Sequence, residues 1–315
     1  MNTSSQSSTH SEKTWIALND RSVIRISGDD ARDFLQGLIS MDIAKLAPDR
    51  AIYGALLTPQ GKFLHEFFIA EKNGVLLMDC GRERRDDLLR RLTMYKLRAK
   101  VELTDAEGDY LVAALLGDPG MGDSEGAARP FGDGIAFVDP RLAVMGARAI
   151  LPVSDAMETL GAAGFVEAEF DTYERHRVGL GVPDGSRDLV VDKSFLLESN
   201  FEELNGVDFN KGCYVGQEVT ARTKHRGLVK KRVLPMNISG PLPAPGTKVM
   251  LGDKEAGTMC SGAGDRGLAL MRLERIAEAA RTGTPFTAEG STLSAVTPDW
   301  LSLPQEGLQK GKDVS

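Results

Sequence analysis

The chain has 315 residues, 42% hydrophobic and 26% charged, a globular composition that excludes a mainly disordered or fibrous protein. The formal charge of −7, from 38 basic and 45 acidic residues, argues against a surface built for nucleic acid, so no direct nucleic-acid partner is expected. No apolar run approaches the roughly 18 residues that a bilayer-spanning helix needs, so no membrane partner is expected either.

The opening MNTSSQSSTHSEK is polar, lacks the hydrophobic core of a secretory signal, and reads as a disordered tail over residues 1–14. The following WIALNDRSVIRISGDD alternates apolar and polar residues and predicts a strand or hairpin. Asp29 or Asp30 then caps a helix through ARDFLQGLIS that buries Phe34, Leu35 and Leu38. Three strand-like runs follow between residues 51 and 80. The turn sequences Thr58-Pro59-Gln60-Gly61 and Lys72-Asn73-Gly74 separate them, which predicts an antiparallel meander. RERRDDLLRRLTMYKLRAKVEL predicts an amphipathic helix with Leu88, Leu89, Leu92 and Tyr95 inward, ending in a strand. This mixture lacks a regular βαβ alternation and favours an α+β fold.

Further along, Tyr110–Leu116 and Gly134–Val138 read as short strands, and residues 117–134, broken by Gly and Pro, as a surface loop. Residues 156–164 and 170–178 read as helices. From about residue 230 short strands punctuated by Pro and Gly predict a small β-barrel with one helical insertion, spanning 230–303. Residues 304–315 form a polar tail.

The three cysteines, Cys80, Cys213 and Cys260, are odd in number and widely spaced, which makes no disulfide framework and points to a reducing cytoplasm. With no CxxC pair, and with His10, His65, His176 and His225 scattered, no protein-borne metal site is expected.

Chemistry concentrates in Phe209 to Arg226, FNKGCYVGQEVTARTKHR. Seven Lys or Arg against one Glu, between Lys211 and Arg232, make a positive stretch in an acidic chain, suited to a small anionic ligand. Gly212 and Gly216 bracket Cys213 and permit unusual backbone angles or close approach to a ligand. Lys211, or a helix start at Gly216-Gln217-Glu218, would favour a reactive thiolate at Cys213. The same residues also suit a tight turn into an amphipathic helix around an inert, buried cysteine.

KGCYVGQE at 211–218, followed by ThrAlaArgThr and Arg226-Gly227, resembles the signature of the YgfZ-type folate-binding proteins. That family is related to the glycine-cleavage aminomethyltransferase (GcvT-like) and includes a mitochondrial iron–sulfur assembly factor. FLQGLISMD from Phe34, LTPQGK from Leu57, and Tyr173-Glu174-Arg175 through Gly179-Leu180-Gly181-Val182-Pro183 resemble other segments of the family, in order.

The resemblance implies two interleaved α+β subdomains over 15–229 around a central folate channel, with the C-terminal barrel closing on them. It implies tetrahydrofolate as the cofactor, with Glu198 accepting from the pteridine, Arg222, Lys224 and Arg226 available to its anionic tail, and Lys211, Tyr214 and Gln217 also in the folate site. It also implies an accessory role in assembling or repairing iron–sulfur clusters, including those needed for tRNA methylthiolation. The partners would then be iron–sulfur assembly proteins and cluster-dependent client enzymes, with Cys213 in a redox or thiol role. A folate-dependent one-carbon transferase and a folate-free docking scaffold are the alternatives. Against the transferase, His65-Glu66 stands where glycine-cleavage enzymes carry an acidic pair, and Arg177 stands where the family carries an acid. His65 on a strand suits packing, or a general base near neutral pH.

Overall fold

The computed structural model describes residues 13–117, 120–227 and 229–303. The tails read at 1–14 and 304–315 therefore lie outside the described residues, apart from Lys13 and Thr14. β1 (Thr14–Ala17) and β2 (Arg21–Ser27) do not pair with each other, contrary to a hairpin. A tight turn, in which the Arg21 N–H donates to the Leu18 carbonyl at 2.9 Å, sends the chain from one sheet into another.

β2 joins a five-stranded sheet. After α1 (Ala31–Gln36) come β3 (Ile52–Leu57), β4 (Phe63–Lys72) and β5 (Val75–Gly81), then α2 (Arg85–Lys96) and β6 (Glu102–Asp105). The order β3-β4-β5-β2-β6 contains the expected meander. Asn73 and Gly74 both hold positive φ, 52° and 78°, the backbone that a two-residue hairpin loop demands. Both helices cover one face of this sheet: Leu35, Leu38, Leu88 and Leu92 pack on Ile24, Phe67, Ile69 and Met78. The predicted inward stripe of α2 fails beyond that. Leu89 is half-buried and Tyr95 exposed, because only the first turns of the helix find apolar partners.

β7 (Tyr110–Leu116), β8 (Ala128–Phe131), β9 (Gly134–Val138), β10 (Ala147–Pro152), α3 (Ala156–Ala162), β11 (Val166–Glu167) and α4 (Phe170–Leu180) build the second layer. Its sheet runs β11-β1-β7-β10-β9-β8. β8 falls inside the stretch read as a surface loop; with Pro130 in it, it pairs on one side only, as an edge strand should. The inner faces of the two sheets share one core, with Tyr53, Phe68 and Phe201 against Val112, Phe137 and Ile150.

After a long connection and α5 (Gln217–His225), the chain forms the barrel from β12 (Lys231–Ser239), β13 (Lys248–Leu251), β14 (Lys254–Ala263), β15 (Arg266–Arg272), α6 (Leu273–Thr282), β16 (Phe286–Ala288) and β17 (Ser291–Ala295). The barrel closes in the order β12-β15-β14-β13-β16-β17, which leaves no free edge. Arg177 fastens it to the rest. This guanidinium is fully buried, donates to Glu174, Asp188 and the Val182 carbonyl, and reaches the Ser261 hydroxyl of β14 at 2.7 Å. The arginine that departs from the family pattern is thus an anchor between barrel and body.

Candidate functional site

The KGCYVGQE segment is a short loop fastened at both ends to the end of α1. A helix leaves its last carbonyls without partners. Here the Lys211 ammonium donates to the carbonyls of Gln36 at 2.8 Å, Ile39 at 2.7 Å and Met41 at 2.9 Å. The Val215 N–H donates to the Gly37 carbonyl at 3.2 Å. Lys211 is therefore not a ligand cation, as the motif suggested. Its three protons are engaged by backbone carbonyls, and burial pulls its pKa down to about 8.

Tyr214 turns inward as well, 7% exposed, with Lys211 Nζ 5.0 Å from its ring centre and burial pushing its hydroxyl up to about 12. Between these two buried anchors Gly212 and Cys213 face water. Gly216 has a φ of 83° and precedes α5, in whose first turn Gln217 is half-buried and Glu218 exposed. Burial is excluded for Cys213. It holds for the other two, and pushes the Cys80 and Cys260 thiols up to about 12.

Glu198 lies elsewhere on the same helix's surroundings. It sits in the helical turn Leu196–Ser199 and lines a cleft of about 130 Å³ with Phe195, Leu197, Thr220, Thr223 and Val229. Thr220 and Thr223 belong to α5, so one helix carries the cysteine loop at its start and a cleft wall along its side. Glu198 is half-buried, and no hydrogen bond or ion pair from the described residues reaches its carboxylate. Burial raises its pKa, against the pull of Lys231 and Lys62. Lys62 stacks 3.4 Å over the Phe195 ring and donates to the Lys193 carbonyl.

The other residues singled out by the motif do not converge on this cleft. Lys211, Tyr214 and Gln217 are not among its lining residues. Arg222 and Arg226 are exposed near the end of α5, and Lys224 pairs with Glu202 while lying 4.2 Å over Phe209.

His65 and Glu66 are both buried on β4. His65 Nε2 meets Asp87 Oδ2 at 2.9 Å, and burial together with the charge of Arg84 lowers its pKa to about 4, so it is neutral near pH 7 and structural. Glu66 accepts from Arg21 at 3.0 Å and from the Tyr53 hydroxyl at 2.5 Å. It belongs to a buried network in which Arg21 and Arg148 share Asp79, and Arg141 and Arg148 share Asp139. A carboxylate so engaged is not free to move protons. Periodicity gave no sign of this network, since its members lie on separate strands of both sheets and in the β9–β10 connection.

Among the described residues no group of three or more His, Cys, Asp or Glu side chains could hold a metal ion, and no helix is long and apolar enough to cross a membrane. Residues 230–303 match the family model described as the CAF17 C-terminal beta-barrel domain. The chain is similar to the iron–sulfur cluster assembly factor IBA57, mitochondrial, of Mus musculus, with 33% identity over 310 residues, covering 91% of this chain and 85% of that protein. The same factor from Homo sapiens is 34% identical over 306 residues, covering 90% and 84%.

The crystal structure of glycine cleavage system aminomethyltransferase T from Bartonella henselae superimposes with a TM-score of 0.73, covering 93% of this chain and 87% of that one. At 14% identity the likeness shows the fold, which is α+β and GcvT-like. These relatives also correct the compartment. A reducing cytoplasm was expected from the cysteines, whereas the relatives are named as mitochondrial proteins.

Proposed function

The chain belongs to the IBA57 family of iron–sulfur cluster assembly factors, and from that premise we propose that it supports assembly or repair of iron–sulfur clusters in client enzymes through Cys213. The observation that carries this reading is the display of Cys213. It is the exposed one of three free cysteines, held out between the buried anchors Lys211 and Tyr214. A thiolate is a soft ligand for iron and a nucleophile towards disulfides. One cysteine cannot hold a cluster alone, so a partner protein contributes the remaining ligands. The cluster is then cargo, shared during transfer. Clients that methylthiolate tRNA are part of this proposal, on the strength of the YgfZ-type motif. Depleting the protein should lower the activity of iron–sulfur enzymes and leave iron-free enzymes of the same compartment unchanged.

Tetrahydrofolate is the proposed cofactor, at the Glu198 cleft. The fit is to its ring system. An acid that no hydrogen bond or ion pair from the described residues reaches, flanked by Phe195, Leu197 and Val229, suits a flat heterocycle that carries N–H donors. The volume of about 130 Å³ is well below the roughly 300–1,000 Å³ of sites that enclose a whole drug-sized ligand, so the glutamyl tail would lie outside, towards the exposed end of α5. Glu198→Ala should weaken binding in calorimetry by about 1.5–3 kcal/mol, the contribution of hydrogen bonds to a charged group. Aminomethyl transfer is not part of the proposal. Glu66, at the position of the expected acid, is occupied by Arg21 and Tyr53.

A further inference from the structure

The uncovered end of α2 puts three large apolar side chains into water: Met94, Tyr95 and Leu97 are 66%, 42% and 88% exposed. Leu97 ends the helix at a φ of 44°, a backbone that a branched residue adopts at a cost, and it does so with its side chain outward. Arg90, Lys96, Arg98 and Lys100 flank them in sequence, Arg90 being paired with Asp87. Among the described residues no carboxylate pairs with Lys96 or Arg98, and Lys100 comes no nearer than 3.8 Å to the mostly exposed Asp29. Cations in a last helical turn are explained by the helix dipole. The exposed Met, Tyr and Leu among them are not.

We propose that this patch is the docking face for an acidic protein surface, the partner that brings the remaining cluster ligands to Cys213. The inference rests on the assembly-factor reading and deepens it. Its location suits that role, since α1 and α2 cover the same face of the five-stranded sheet. The Cys213 loop is fastened to the end of α1 and packs Val215 into the same apolar cluster. Cysteine loop and patch therefore share one layer, the loop beside the β3–β4 turn and the patch on the helix along β2 and β6, so one partner would span that layer to engage both. A few apolar side chains inside a polar rim, with Tyr, Met and Arg enriched, are the usual anatomy of a protein interface. An anionic bilayer fits less well, because a chain of net charge −7 is repelled by an extended negative plane, whereas an acidic protein segment touches the basic rim alone.

The test uses the full chain and a fluorescent synthetic helix of Glu and Leu, with Leu on one face, read by anisotropy. The wild type should bind it, less tightly as salt rises, and a Lys-and-Leu counterpart should not bind. Leu97→Ser, and separately Lys96→Glu with Arg98→Glu, should each weaken binding about tenfold or more, with unchanged circular dichroism. Equal binding by wild type and variants overturns the docking face. So does an absence of peptide binding together with attachment to phosphatidylglycerol vesicles. Cys213→Ser should bind the peptide as wild type does. Patch-dependent peptide binding alongside full cluster-enzyme activity in Cys213→Ser would retain the face and remove the assembly reading.

Discussion

Gly61 and Gly216 meet backbone to backbone, joining the β3–β4 turn to the start of α5. A Cβ on Gly216 would lie 2.5 Å from the Thr58 carbonyl oxygen and 3.1 Å from the Gly61 Cα, and one on Gly61 would lie 3.0 Å from the Gly216 carbonyl oxygen. Both glycines also have positive φ, 73° and 83°. Two unrelated reasons therefore exclude a side chain at this contact. With Lys211 and Val215 on α1, it sets the frame from which Cys213 projects.

Gly216→Ala should accordingly destabilise the fold by about 1–3 kcal/mol, the cost of a strained backbone together with a clash. Gly212, two residues earlier in the motif than Tyr214, is exposed, and a Cβ there would meet nothing within 4 Å. Gly212→Ala should change stability by less than about 0.5 kcal/mol. Urea unfolding of the two variants compares them directly.

The cysteines should react in two classes. In the native protein a small alkylating agent should label Cys213 rapidly and leave Cys80 and Cys260 untouched, since burial both shields those thiols and holds them protonated. Denaturant should release all three. Mass spectrometry that finds Cys80 or Cys260 labelled as fast as Cys213 contradicts the display of the loop.

Glu198 should make stability depend on pH in a stated direction. Its folded pKa is raised above the unfolded 4.5, so its contribution is fully present below that pH and is lost as pH rises through the folded value. Glu198→Gln, which cannot ionise, should therefore melt higher than wild type at pH 7, with the gap closing in acid. A gap of constant size across this range would show that burial does not perturb Glu198.

His65 has the opposite sign. Its pKa falls from 6.5 to about 4 on folding, so the unfolded chain binds the extra proton between those values, and stability is lost as pH falls through that window. His65→Gln should flatten this part of the wild-type stability profile. A slope between pH 6.5 and 4 that is the same in the variant would assign the acid sensitivity to other groups.

The sequence disclosed those parts of the fold whose cause is local. Thr58 to Gly61 and Asn73-Gly74 announce their turns through residue chemistry, and the meander follows. Alternation marked β1 and β2 as strands but said nothing of their partners, which is why a hairpin stood open as one reading where the chain changes sheets. Tyr95 obeys the helical spacing of Leu88 and Leu92, yet spacing does not say how far the neighbouring surface extends. The exposure of Cys213 was legible in its glycine-flanked loop, and Lys211 was misread because its charge serves the backbone. The network holding Glu66 was out of reach, because Arg21 lies 45 residues from Glu66 and 58 from Asp79.

The central claim is that cluster assembly runs through the thiol of Cys213, and complementation measures it most directly. Cells lacking the protein are supplied with wild type, Cys213→Ser or Cys260→Ser, and the activity of iron–sulfur enzymes is assayed with the amount of each protein checked. The account predicts wild-type activity with Cys260→Ser and deletion-level activity with Cys213→Ser, the latter still folded and present in the same amount. Full restoration by Cys213→Ser would contradict it.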